Sequence, residues 1–247
     1  MLRPAAGRLA RVMATLQDDE QTLDGEIQLG RWALGGASEL RGDGMVVRST
    51  VLADVGGWGR DALCEDLELS TRLFAQHRRG VVWARDLIVW EEPVTGLRPL
   101  LRQRLRWAEG LVRRDLRETL PLLARPGLGA WQRMDMLAYL CQSLLPFAVL
   151  GLGMARGPGR RRRLALLAGS YMVGAVPLAW DALRWSNGPA GSPPGLATRL
   201  LRSLGVVAWS ALWLIFLPVA HARVVLARGP LHFAKSVHSG RFQPIDD

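Results

Sequence analysis

Two short clusters carry side chains suited to chemistry on an alcohol and a leaving phosphate. Glu65-Asp66 follows the flexible Gly57-Trp58-Gly59 stretch and opens a helical pattern. A carboxylate at such a loop-to-helix junction can face a cleft, where an aspartate takes the proton of a hydroxyl nucleophile. The second cluster is Gln103-Arg104-Leu105-Arg106-Trp107. On a helix, Gln103 and Arg106 share a face and Trp107 lies beside them. An arginine with a neighbouring amide suits a diphosphate, whose charge rises as it leaves. An indole face suits the C–H side of a sugar ring. Taken alone, each cluster is better served by a structural role: helix capping and dipole compensation for the acids, a basic membrane-surface helix with a tryptophan anchor for the other.

The elements that must position these clusters read as follows. Leu9, Val12, Met13 and Leu16 recur at helical spacing, continued loosely by Leu23, Ile27 and Leu34, and predict a helix or helix pair over 6–33. Gly35-Gly36 ends it. Short strands are expected at 39–41 and 45–48, and Ser49 is placed to cap a short helix over 50–54, stopped by Gly56-Gly57. A helix over 65–77, broken at Gly80, precedes strands at 81–84 and 87–90 and a Glu91-Glu92-Pro93 turn. Residues 97 to about 120 form an amphipathic, arginine-rich helix.

Composition changes sharply beyond Trp131. Acids become scarce, and apolar blocks run over 136–155, 164–183 and 204–225. Each is about 20 residues, the length that crosses a bilayer core of about 30 Å. Arginine and tryptophan flank the blocks, which favours membrane insertion over burial in a protein core. The formal net charge of +10 is nearly all arginine. With the apolar blocks, it points to lipid or a phosphate-bearing substrate and away from nucleic acid. Cys64 and Cys141 lack metal-ligand or redox spacing and read as free thiols. Arg156 and Arg160–Arg163 make a dense basic loop between the first two blocks, which the positive-inside rule places in the cytoplasm. A cytoplasmic front domain fits as well only if the first block does not fully span; Gln142 and Pro146 within it are compatible with a re-entrant segment.

The order of the motifs decides between the readings. Gly42-Asp43-Gly44-Met45-Val46-Val47-Arg48, Val55-Gly56-Gly57-Trp58, Glu65-Asp66, Glu91-Glu92-Pro93 and Gln103-x-x-Arg106-Trp107 stand in succession before the apolar blocks. This arrangement resembles the membrane-bound, processive-type family 2 glycosyltransferases, the cellulose- and hyaluronan-synthase-like enzymes. Lys235–Gly240 resembles the basic tail motif of some members, more weakly. The resemblance implies an α/β fold. Residues 1–95 would be the C-terminal part of a GT-A-like nucleotide-sugar transferase domain, 96–130 an interfacial helix region, 131–228 a helical membrane domain and 229–247 a basic tail.

It also implies roles. Asp66 would be the base that deprotonates the acceptor hydroxyl, with Glu65 its motif partner. Gln103 and Arg106 would lie near the donor diphosphate and Trp107 at the acceptor. The implied reaction is an inverting displacement, from a nucleotide-sugar to a saccharide or lipid, by a multi-pass enzyme of the cell membrane whose catalytic part is cytoplasmic. Cys64 stands where many members have a small hydroxyl residue.

One departure matters. Such enzymes open with a nucleotide-binding half whose Asp-x-Asp motif holds a divalent metal, magnesium or manganese, and the donor diphosphate; hard cations need oxygen ligands of that kind. This chain begins at what resembles the helix after that motif. The expectation is therefore a fragment whose metal ligands lie outside it, with an exposed sheet edge. Asp18-Asp19-Glu20 is expected to be a solvated helix face, and neither Gly35-Gly36 nor Gly56-Gly57 is placed as a phosphate loop. Two other classes compete with the enzyme: an inactive membrane-anchored binding or scaffold protein, and a peripheral basic protein on anionic lipid.

Overall fold

The computed structural model describes residues 7–226 apart from 43, 60, 61, 79, 155, 156, 158 and 188–190. Asp43, Arg156 and the basic tail with Lys235–Gly240 lie outside the described residues.

Helix α1 runs unbroken over Arg8–Ala33. Its buried face includes Met13 and Ala14, then turns polar with Gln17, Asp19, Gln28 and Arg31. That switch explains why the apolar periodicity loosens along it. The turn after it uses Gly35 at φ 74°, a left-handed conformation that favours glycine. Helix α2 covers Ser49–Asp54. Here the sequence expectation needs correction: Ser49 lies in the first turn, Arg48 holds the cap position, and no side chain caps the helix.

Helix α3, Glu65–His77, matches its expected bounds and buries Leu69 and Phe74. It ends on Arg78, at φ 55°, before Gly80 is reached. Gly80 serves a different purpose. A Cβ there would lie 2.2 Å from Ser38 Oγ and 2.7 Å from the Gly36 carbonyl, so only glycine lets these backbones approach.

The expected strands are extended, but no ladder forms among the described residues. The backbone of 37–40 finds other partners. The Ala37 N–H donates to Asp135, Glu39 N–H to Gln28 and Leu40 N–H to the Ser70 hydroxyl. Ser38 bridges to another extended segment, donating from Oγ to the Val81 carbonyl at 2.6 Å and accepting at its own carbonyl from the Val81 N–H. Side chains thus satisfy groups that a ladder would otherwise pair.

Helix α4 covers Leu97–Arg114 and continues through a π-helical turn, Asp115–Thr119, into the short α5, Leu120–Leu123. Three helical stretches are long and apolar enough to cross a membrane: α6, Ala130–Met154; α7, Arg160–Ala182, with its extension to Trp185; and α8, Leu196–Ser210, followed by α9, Trp213–Leu226. Each begins before the apolar block seen in the sequence. The early residues of α6 bind the polar part of the protein: Trp131 Nε1 donates to the Leu34 carbonyl, Asp135 pairs with Arg31, and Tyr139 accepts from Gln28 and Arg41. Beyond Tyr139, α6 runs on through Met154, about 15 residues or roughly 22 Å of described helix. Helix α8 packs on α1 and α9 on α4, where Ala108 and Val112 meet Phe216, Leu217 and Ala220.

A buried charge cluster ties these parts together. Glu39 pairs with Arg114 at 2.6 Å and Arg41 at 3.3 Å, and Arg31 approaches within 3.9 Å. Arg31 and Arg41 reach onward to Asp135 and Asp24. Burial alone would raise the Glu39 pKa; Arg114, then Arg41 and Arg31, outweigh it, and the net direction is down. A carboxyl lowered on folding contributes stability above its unfolded pKa, about 4.3, which is lost as pH falls through the lower folded value. Glu39→Gln removes the carboxylate shared by three guanidinium groups, leaving Arg31, Arg41 and Arg114 with Asp135, Asp24 and Asp115, and is expected to cost up to about 3–5 kcal/mol. The check is the unfolding midpoint of the detergent-solubilised protein against pH: the variant should start lower and lose part of the wild type's decline in acid.

Candidate functional site

Asp66 stands in the first turn of α3, half-buried, with Glu65 beside it and exposed. The turn is fixed from two sides. Ser70 Oγ donates to the Asp66 carbonyl at 2.6 Å while accepting from the Leu40 N–H at 2.7 Å. Arg72 grips Glu68 and donates to the carbonyls of Val55 and Gly57, at 2.7 Å for the latter. The Val55-Gly56-Gly57 turn is thereby anchored to the helix that carries the acids, and Gly56 and Gly57 sit at φ 83° and 78° to make it.

Burial raises the Asp66 pKa; the Leu67 N–H and Arg41 pull it down, Glu65 pushes it up, and the net direction is upward. Gly42 approaches closely, and a Cβ there would lie 3.8 Å from Asp66 Oδ2. Cys64, just before Glu65, is buried, and its thiol is pushed up to about 12, burial being the largest cause. Arg106 on α4 is near enough to pull that thiol down in part, which places its charge beside the acidic turn.

Helix α4 meets α3 at a glycine. A Cβ on Gly110 would fall 2.4 Å from Cys64 Sγ. Glycine inside a helix costs about 1 kcal/mol relative to alanine. Its presence on α4 is the sequence signal that could have revealed this close approach.

Arg104 is the larger omission from the sequence reading. It is buried, pairs with Glu20 at 2.6 Å and lies over Trp107, 4.5 Å from the ring centroid. Glu20 also accepts from the indole N–H groups of Trp209 and Trp213, each at 2.8 Å. Asp19 is fully buried against Arg202. Asp18-Asp19-Glu20 is therefore no solvated helix face. Two of its acids tie α1 to α4 and to the third apolar stretch, because arginine and indole donors converge there and repay the loss of water.

All five residues singled out from the sequence, Glu65, Asp66, Gln103, Arg106 and Trp107, line one cavity of about 1750 Å³. One face of Trp107 is covered by Arg104. Gln103 Oε1 is a buried acceptor with no donor among the described residues, and a hydroxyl or N–H of a bound molecule would satisfy it. Among the described residues, no three His, Cys, Asp or Glu side chains group to hold a metal ion. The described carboxylates thus form no hard-cation site, and no metal ligand is assigned to them.

Gly110→Ala tests the α3–α4 contact. It should drive Cys64 and the acidic turn away from α4 at a cost of about 1–3 kcal/mol. Adding Cys64→Ala should recover part of that loss, because it removes the nearest atom. Thermal midpoints of the two single variants and the double variant measure the coupling.

Comparison with known proteins adds an independent line. The family model described as Glycosyl transferase family group 2 matches residues 5–234. The beta-monoglucosyldiacylglycerol synthase of Synechocystis sp. is 33% identical over 230 residues, covering 90% of this chain and 47% of that protein. The protein of the same name from Nostoc sp. is 31% identical over 231 residues, with the same shares. The probable glycosyltransferase YdaM of Bacillus subtilis is 34% identical over 85 residues, 34% of this chain and 20% of that protein. No solved structure matches the chain at a significant level. The chain spans about half the length of the curated synthases it matches. With its motifs in order and nearly its whole length matched, the chain belongs to glycosyl transferase family group 2.

Proposed function

We propose that the chain forms the acceptor side of an inverting glycosyltransferase that moves a glucosyl group from a nucleotide-sugar to the free hydroxyl of a diacylglycerol at the cytoplasmic face of the cell membrane. The observation that carries the reading is the cavity, which is lined by Asp66, Gln103, Arg106 and Trp107 and also by residues of α6, α7 and the third apolar stretch. The glucosyl group and the lipid acceptor come from the names of the relatives. Those names speak of a single sugar. The layout shared with processive enzymes is then a common acceptor-side architecture.

In this reading the Asp66 carboxylate takes the acceptor's hydroxyl proton. The oxygen bonds to the anomeric carbon as the bond to the nucleoside diphosphate breaks on the opposite face, inverting the centre. A raised pKa makes Asp66 a stronger base than a solvated aspartate. Glu65, exposed at the same helix start, adds negative charge beside it. Gln103 and Arg106 face the departing diphosphate, whose growing charge an arginine stabilises. Trp107, held by Arg104, offers its ring to the apolar side of the sugar. The divalent metal implied by the family resemblance would act on the donor side, through ligands not assigned in this chain. Gln142 and Pro146 within α6 are compatible with a segment that enters the membrane without crossing it, which would keep the front domain and Arg160–Arg163 on the cytoplasmic side.

The test is Asp66→Asn in the full-length protein. Transfer of sugar from a nucleotide-sugar to diacylglycerol should fall about 10²–10⁴-fold, with membrane expression and thermal midpoint unchanged. Undiminished transfer would contradict the base assignment and favour the scaffold reading. The wild-type pH profile supplies a second readout. Because the ionised carboxylate is the active form, kcat/KM should fall in acid along a limb centred above the about 3.9 of a free aspartate.

A further inference from the structure

The cavity changes character along its length. Beyond Asp66 and Trp107 it passes between α6 and α7, where its walls are Pro146 and Val149 on one side and Leu167, Ala175 and Leu178 on the other. On α7, most lining positions from Leu164 to Leu178 recur at helical spacing, and Ser170 and Met172 widen the exposed face around Tyr171. Polar side chains form a collar within this apolar lining, Tyr171 standing between Leu167 and Ala175 on α7. Tyr171 and Ser210 join α7 to α8 through their hydroxyls at 2.6 Å, and Gln142 lines the opposite wall. Pro146 has no N–H, which leaves the Gln142 carbonyl without its helical donor. Almost none of the apolar stretch of α7 is buried inside the protein. The volume of about 1750 Å³ exceeds what one drug-sized ligand fills, about 300–1,000 Å³.

We propose that this fissure is an acyl-chain site: the acceptor's fatty chains lie between α6 and α7, entering sideways from the bilayer, with their ester groups at the collar of Gln142, Tyr171 and Ser210. This rests on the lipid-acceptor reading and adds where the lipid sits. The one cavity supplies each kind of group an acylglycerol needs: a carboxylate for the hydroxyl, hydrogen-bonding side chains for the esters and aliphatic walls for the chains. Continuity with the cleft of Asp66 sets the occupant. A chain bound there brings its polar head to the acidic turn, which lipid on the outer faces of α6 and α7 does not do.

The test uses the purified chain in nanodiscs with a diacylglycerol bearing a diazirine at mid-chain. Photolabel should map to α6 and α7 residues lining the fissure, such as Val149, Ala175 and Leu178, and be competed by unlabelled diacylglycerol. Gly174→Trp should reduce it at least about 5-fold; a Cβ at Gly174 meets nothing within 4 Å, so the ring enters open space. Tyr171→Phe, which removes one hydroxyl, should weaken competition about 2–10-fold, the worth of a single hydrogen bond. Label spread over outward residues such as Leu137, Leu144, Leu166 and Val173, and indifferent to both variants, would overturn the proposal. The transfer assay on the full-length protein separates the two readings. Glycolipid formed with spread label removes only the acyl site; fissure label without glycolipid leaves the site standing and removes the transfer.

Discussion

Glu39 and the arginines around it are the constraint on which the rest of this structure hangs. A carboxylate and guanidinium groups taken out of water are stable only while they pair, and removing one member strands the others. Their positions turn that electrostatic requirement into architecture. Arg31 belongs to α1, Glu39 and Arg41 to the extended segment after it, and Arg114 to the end of the helix that carries Gln103, Arg106 and Trp107. Through Asp135 the same network takes hold of α6. The polar domain and the first apolar helix therefore cannot separate without exposing unpaired charge.

A second junction at Glu20 completes the frame. Arg104 approaches it from α4, and Trp209 and Trp213 approach from the third apolar stretch. Glu20, Glu39, Arg41 and Arg104 all line the cavity, so its walls are the charged junctions themselves. Between them, Gly110 allows the acidic turn of α3 to rest against α4. The acidic turn of α3 and the Gln103-x-x-Arg106-Trp107 face of α4, drawn from distant parts of the chain, thus line one cavity together with residues of α6 and α7. Preorganisation of this kind puts the energy of folding to use in orienting reactants.

How much of this was legible in the sequence depends on the distance over which each feature is decided. Helices α3 and α4 follow from local spacing and were readable within a few residues of their ends. The motifs of the site were readable by their order, and all five residues meet in one cavity. The extended segments were readable as extended but not as unpaired, because their partners are the side chains of Gln28, Ser70 and Asp135. The acids at 18–20 looked solvated because the groups that neutralise Asp19 and Glu20 include Arg202, Trp209 and Trp213, far along the chain. The apolar helices began earlier than hydropathy suggested for the same reason: Trp131, Asp135 and Tyr139 are polar in sequence and buried in partnership.

The central claim is that the acidic turn of α3 and the Gln-x-x-Arg-Trp face of α4 form the place where the acceptor hydroxyl is activated. An experimental structure of the full-length protein with a nucleoside diphosphate and a diacylglycerol bound measures this directly. The account predicts the glycerol hydroxyl within about 3 Å of an Asp66 carboxylate oxygen, close enough for proton transfer, and the chains between α6 and α7. A diacylglycerol whose hydroxyl lies outside this cavity, beyond reach of Asp66, would contradict it.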